Sequence, residues 1–300
     1  MEKNKNKHFD IDEDYQGLPR ITLDFNSLQI PIINALHTVS RSVASVFHSK
    51  DIATKKVDIK RDNEATLKAV IFEAKDITEK RPLLIYFHGG GFAITYTKKH
   101  IEFCKQYAKQ ANCSVLLVDY RLSPKNRFPK AFNDGYSSLE WSIKNAGKLN
   151  IDQSKIAIAG DSAGGCIAAG VTQKAIDHGI NICGQLLIYP ALDCRCISES
   201  ANKYHNVPIW NTESNRRMWK AYLGSIPVWN IPKYASPGLT KNLFGLPKTY
   251  IETAEFDPLR DEGILYAKRL SASNITTIKN HTKNTVHGYD SGFTTVTILQ

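Results

Sequence analysis

The hexapeptide Gly160-Asp161-Ser162-Ala163-Gly164-Gly165 constrains this 300-residue chain more than any other stretch. Ahead of it Lys155-Ile156-Ala157-Ile158-Ala159 reads as a short buried strand, and behind it Cys166-Ile167-Ala168-Ala169-Gly170-Val171 begins a helix of small residues. A serine on so tight a turn has a strained backbone, and neighbours without side chains let strand and helix approach closely. The Ser162 hydroxyl is then presented above the strand end, where it can serve as a nucleophile. The plain alternative is a glycine-rich connection with no chemistry, and the hexapeptide alone does not separate the two.

A second motif tips the balance. His88-Gly89-Gly90-Gly91-Phe92 directly follows the apolar run Pro82-Leu83-Leu84-Ile85-Tyr86-Phe87. Three glycines after a buried strand expose backbone N–H groups, which acyl transfer needs for the oxygen that becomes negative in the tetrahedral intermediate. Gly89 and Gly90 are the expected donors, joined by the amide of Ala163, the residue after the nucleophile. A phosphate-binding loop would instead end in Lys followed by Ser or Thr, and Phe92-Ala93-Ile94 offers neither.

A serine hydroxyl needs a base to take its proton and a group to orient that base. Asp257 follows the apolar stretch Lys248-Thr249-Tyr250-Ile251-Glu252 and precedes Pro258, so it lies at a strand's carboxyl end. Its position also suits a helix N-cap, and both roles can hold. Asp261 and Glu262 fall in the first turn of the next helix, where the dipole favours acids, and read as structural. Among nine histidines, His287 in Val286-His287-Gly288-Tyr289, after the strand-like Ile275-Thr276-Thr277-Ile278-Lys279, is the expected base. His281 competes, but its polar run Asn280-His281-Thr282-Lys283-Asn284 reads as the solvated part of a loop. The resulting order Ser, Asp, His is that of the α/β-hydrolase architecture.

The chain resembles the hormone-sensitive-lipase-like family of α/β-hydrolase esterases. The resemblance rests on His88 to Phe92, Val118-Asp119-Tyr120-Arg121-Leu122-Ser123-Pro124, Phe128-Pro129, Gly160 to Gly165, Tyr234-Ala235-Ser236-Pro237, Asp257 to Gly263 and His287-Gly288-Tyr289. It implies Ser162 as nucleophile, Asp257 as acid, His287 as base, and a helical cap over the site. Two departures stand out. Lys125-Asn126-Arg127 replaces the Glu-His of many relatives, and only thirteen residues follow His287. Relatives usually end in a helix covering the last strand, whereas Ser291 to Gln300 is β-branched with weak helical character, so a partner subunit in a homodimer is one source of that cover.

Alternation of strand signals at 82–87, 114–119, 155–159 and 184–189 with helix signals at 97–111, 130–146 and 163–178 predicts a mostly parallel sheet with helices on both faces. Val57 to Lys60 and Leu67 to Phe72, flanking Arg61-Asp62-Asn63, predict an opening hairpin. Residues 51–194 and 234–300 are expected to form the α/β-hydrolase core, with 1–50 and 195–233 as two parts of the cap. Phe92, Asp161, Trp210 and Trp219 are the expected substrate contacts.

Composition narrows the partners. With 42% hydrophobic residues the chain can bury one large core, and no apolar run approaches the eighteen or so residues of a membrane span. Its start lacks a secretory apolar core, so a cytoplasmic location is expected. The six cysteines show neither disulfide-framework nor zinc spacing and read as free thiols. The net charge of +10 is unaccompanied by a long basic run or a nucleic-acid motif, so a solvated basic face is expected rather than nucleic-acid or membrane binding. The motifs point to a serine hydrolase with no metal or organic cofactor, and the resemblance implies a carboxylesterase acting on a small-molecule, short-chain acyl ester. Two alternatives stay open: an amide hydrolase with the same triad, and a ligand-binding receptor on this scaffold, as in the plant gibberellin receptors that resemble this family.

Overall fold

The computed structural model describes residues 9–44, 51–61, 64–75 and 79–290. Two helices, α1 (Glu13–Gln16) and α2 (Gln29–Ala44), precede the hairpin of β1 (Ile52–Arg61) and β2 (Glu64–Ala74). Then come β3 (Arg81–Phe87), α3 (Lys98–Gln110), β4 (Ser114–Asp119), α4 (Lys130–Lys144), β5 (Ile151–Asp161), α5 (Ala163–Asp177) and β6 (Gly184–Ile188). After α6 (Glu199–Lys203) and α7 (Thr212–Leu223) come β7 (Thr249–Phe256), α8 (Arg260–Ala272) and β8 (Thr277–Val286), the last of these elements among the described residues.

The eight strands form one sheet in the order β1-β2-β4-β3-β5-β6-β7-β8. β1 and β2 pair antiparallel, as do β2 and β4, and every later pair is parallel. Side chains alternate across each strand. Leu83, Ile85, Phe87, Leu116, Val118, Ile156 and Ile158 share a core with α4, α5 and α8, while Tyr86, Val115, Leu117 and Ala159 share another with Cys104 and Ala108 of α3. Burial on both faces explains why β3 and β4 read as continuous apolar runs. β3 is flanked by β4 and β5, so chain connections leave it in opposite directions. The carboxyl ends of β3 and β5 are therefore the switch point where open α/β sheets place their sites.

Close packing of α5 on that point demands glycine. A Cβ on Gly164 would come 2.0 Å from the Phe87 carbonyl oxygen and 2.5 Å from that of His88, both rigid backbone. Gly164→Ala is expected to cost at least about 3 kcal/mol, read as a drop in the urea unfolding free energy.

The expected alternation and hairpin match the observed elements, with two differences. The 155–159 strand extends from 151 to 161. β8 runs through Asn280 to Asn284, so His281 lies on a strand and not in a loop. β8 is the last strand in the sheet order and largely exposed, so polar residues suffice beyond Lys279 and hydropathy gives no strand pattern there. Asp62-Asn63 and the stretch Ser291 to Gln300 lie outside the described residues.

Candidate active site

The strand β5 ends at Asp161 and α5 starts at Ala163, leaving Ser162 alone at the turn with φ 54° and ψ −120°. Such a conformation costs roughly 1–3 kcal/mol for a non-glycine residue and must be held by its surroundings. It is held on both sides: the Ser162 N–H donates to Ile188 O at 2.9 Å, and its carbonyl accepts from Ala191 N at 3.0 Å. Ser162 Oγ lies 2.8 Å from His287 Nε2, and His287 Nδ1 lies 2.7 Å from Asp257 Oδ2. All three side chains are buried, Asp257 completely. The other oxygen of Asp257 accepts the Leu259 N–H at 2.8 Å, so the carboxylate also serves the turn into α8.

The glycine loop is anchored from beneath. His88 stacks on Tyr120 with ring centroids 4.3 Å apart, its Nδ1 lies 2.8 Å from Gly89 O, and the Tyr120 hydroxyl donates to His88 O at 2.6 Å. Burial pulls the His88 pKa down to about 3, so the ring is neutral at ordinary pH. Gly89 departs from expectation. Its N–H donates to Asp161 Oδ1 at 2.9 Å and is already spent. The amides of Gly90, Gly91 and Ala163 have no protein acceptor among the described residues, so the available loop donors are shifted one residue along, to Gly90 and Gly91.

Asp161 also accepts from the Tyr86 hydroxyl at 2.8 Å and faces His100 Nε2 at 3.4 Å. Burial works to raise its pKa, yet His100 and Tyr86 lower it by more, leaving the carboxyl below its ordinary range.

These groups open on a cavity of about 520 Å³. Its apolar walls are Leu23, Ile94, Tyr189, Ile209 and Trp210, with Trp210 5.7 Å from the His287 ring between centroids. The wall is built by two segments remote in sequence that hydrogen-bond to each other. The Leu23 N–H donates to Ser214 Oγ at 3.1 Å, and the Ile209 N–H to Pro19 O at 3.0 Å. Phe25 meets Trp210 edge-on at 6.2 Å, and both rings press on Gly91, where a Cβ would come within 3.0 Å of each.

A family model for the alpha/beta hydrolase fold matches residues 84–291. The chain belongs to the α/β-hydrolase family. Esterase LipI of Mycobacterium tuberculosis is 37% identical over 209 residues, 69% of this chain and 65% of LipI, so this hydrolase spans just under two thirds of that relative. Carboxylesterase NlhH of the same species is 34% identical over 217 residues, 71% of this chain and 68% of NlhH. Among solved structures, a bacterial heroin esterase superposes with a TM-score of 0.85 at 32% identity, covering 93% of this chain and 89% of that one. The hormone-sensitive-lipase-like resemblance read from the motifs agrees with these relatives.

Of the expected substrate contacts, Trp210 and Asp161 line the hydrolase cavity, Asp161 with its oxygens engaged as described. Phe92 and Trp219 do not line it. Phe92 is fully buried and stacks on Tyr222 at 3.8 Å, and Trp219 packs against both rings. They fasten α7 to the core instead. His281, the discarded competitor, contacts Thr253 Oγ1 at 3.0 Å on β8 and is absent from the cavity. All six cysteines are free thiols. Among the described residues no helix is long and apolar enough to cross a membrane, and no cluster of three or more acidic, His or Cys side chains could hold a metal.

Sequence reasoning passed over His37 and Ser40 of α2, Lys98 and His100 of α3, and Tyr189, all of which line the cavity. None belongs to a local motif. Tyr189 packs edge-on to His287 at 4.9 Å and donates its hydroxyl to Asp290. Burial pushes Asp290 up to about 6. Between about pH 4 and 6 the folded hydrolase thus keeps a proton that the unfolded chain has released, and the stability contributed here falls as pH rises. Asp290→Asn is expected to flatten that slope when urea unfolding free energies are compared at about pH 4.5 and 7.

Proposed function

We propose that this hydrolase is a serine carboxylesterase for short-chain acyl esters, with Ser162 as nucleophile, His287 as base and Asp257 as its orienting acid. The observation that carries the proposal is the unbroken chain of contacts from Asp257 Oδ2 through His287 to Ser162 Oγ, at 2.7 and 2.8 Å, opening beside unengaged amides. The names of the relatives, an esterase and a carboxylesterase, support the same chemistry.

In the first step Ser162 Oγ attacks the ester carbonyl carbon while its proton passes to His287 Nε2. The carbonyl oxygen becomes negative and takes hydrogen bonds from the amides of Gly90, Gly91 and Ala163, which are fixed before the charge develops. As the carbon–oxygen bond to the alcohol breaks, His287 returns the proton to the leaving oxygen. Water then enters, loses a proton to His287 and attacks the acyl-enzyme, and the acid departs as Ser162 recovers its proton. Asp257 holds the ring with Nδ1–H towards itself and stabilises the imidazolium in both steps. Residues 1–50 and 195–233 act as the cap that shapes the substrate side of the cavity.

A series of p-nitrophenyl esters from acetate to palmitate tests substrate size. The kcat/KM maximum is expected among the short acyl chains, matching a cavity of ordinary small-ligand volume. A maximum at palmitate, with activation by lipid interfaces, would overturn the short-chain assignment. Labelling of Ser162 by a fluorophosphonate probe tests the nucleophile itself, because an unactivated serine in a binding protein does not react.

A further inference from the structure

The cavity is chemically lopsided. Its wall on one side is the apolar set around Trp210, but α2 and the start of α3 contribute His37, Ser40, Lys98, Lys99 and His100. Two carboxylates line the cavity, and both are already engaged. Asp161 is held by Tyr86, Gly89 and His100, and Glu102 pairs with Lys99 at 3.6 Å. Lys98 is exposed and makes no ion pair among the described residues. Arg41 of α2 does not line the cavity; it stacks 3.8 Å over the Tyr96 ring and donates to Thr95 Oγ1 at 3.0 Å and to Thr38 Oγ1 at 3.1 Å. Asp119 is close enough to interact with the Arg41 charge, so that charge is offset in part. The first turn of α3 contains no acid. The field is felt at His37, whose pKa is lowered by burial first, and then by Arg41 and His100.

An exposed lysine on the polar arm of the cavity, facing an apolar wall across it and with both lining carboxylates engaged elsewhere, favours a substrate with one charged end. Resting on the esterase reading above, we propose that this arm of the cavity selects esters bearing a carboxylate remote from the scissile carbonyl, held by Lys98. The apolar wall takes the hydrocarbon part, the serine meets the ester, and the carboxylate remains partly solvated at the rim. The chain's overall charge of +10 adds long-range attraction for such anions.

Two matched pairs of esters test this. Monoethyl glutarate against ethyl pentanoate puts the charge on the acyl side, read by ethanol release. 4-Acetoxybutanoate against butyl acetate puts it on the alcohol side, read by acetate release. At low ionic strength the anionic member of at least one pair is expected to have a kcat/KM about five- to tenfold higher than its neutral partner. That ratio should fall towards one in about 0.5 M NaCl, where charges are screened within a few ångströms. In Lys98→Glu it should drop below one. Ratios at or below one in both pairs at low salt, or a ratio indifferent to both salt and Lys98→Glu, would overturn the proposal. Turnover of the neutral esters separates the two levels: if they too are untouched, it is the esterase reading that fails.

Discussion

Ser162→Ala is expected to lower kcat on a p-nitrophenyl short-chain ester by about 10⁴- to 10⁶-fold while leaving the thermal unfolding midpoint within a few degrees of the parent protein. The large effect follows from the absence of any substitute nucleophile at the position facing His287 Nε2. The small structural effect follows from what holds the turn. The strained backbone at φ 54° is fixed by main-chain bonds to Ile188 and Ala191, which alanine can make equally well. Some acceleration over water should survive, because the amides of Gly90, Gly91 and Ala163 still stabilise an oxyanion formed by direct water attack. Full activity in this variant would show that Ser162 is not the nucleophile.

Asp257→Asn should be nearly as damaging, lowering kcat by about 10⁴-fold, and the reason lies in which atom faces which. Leu259 N–H donates to Oδ1, so an asparagine there would keep its carbonyl oxygen at that position and turn its amide nitrogen towards His287. A donor would then confront Nδ1, which must become the acceptor. The imidazole proton would move to Nε2 and point at Ser162, leaving no lone pair to take the serine's proton. The predicted signature is a fall in kcat with little change in KM, measured by steady-state kinetics. Asp257→Ala removes the wrong-way donor and so provides a useful contrast, although it leaves the Leu259 amide unpaired in a buried site.

The contact chain from Asp257 through His287 to Ser162 was legible in the sequence because each residue sits in a short motif with its own mechanical reason. Ser162 needs glycine neighbours for the turn, and Asp257 and His287 follow strands of the expected kind. The sheet was legible wherever a strand is buried on both faces, as in β3 and β4. The sequence reading failed where a residue's duty depends on a partner far along the chain. Gly89 and Gly91 look alike in the motif, and only the carboxylate of Asp161, 72 residues from Gly89, reveals that the first amide is occupied. Phe92 and Trp219 had the right chemistry for a pocket wall, yet hydropathy does not say which of two apolar surroundings a ring will choose. β8 was read only at its start, in Ile275 to Lys279, because the polar run after it lies on an exposed edge with no apolar face to betray it.

The bond between Gly89 and Asp161 joins the glycine loop to the serine turn as one part. Chemistry and recognition are therefore separable by construction. The amides and the nucleophile are tied to each other by main-chain and carboxylate contacts, so variation at the cavity-lining positions of α2, the start of α3 and the Ile209 loop can retarget the protein to new esters without recalibrating the reaction. A laboratory search for altered substrates would do best to randomise His37, Ser40, Lys98 and Ile209 and to leave Tyr86, Asp161 and His100 untouched.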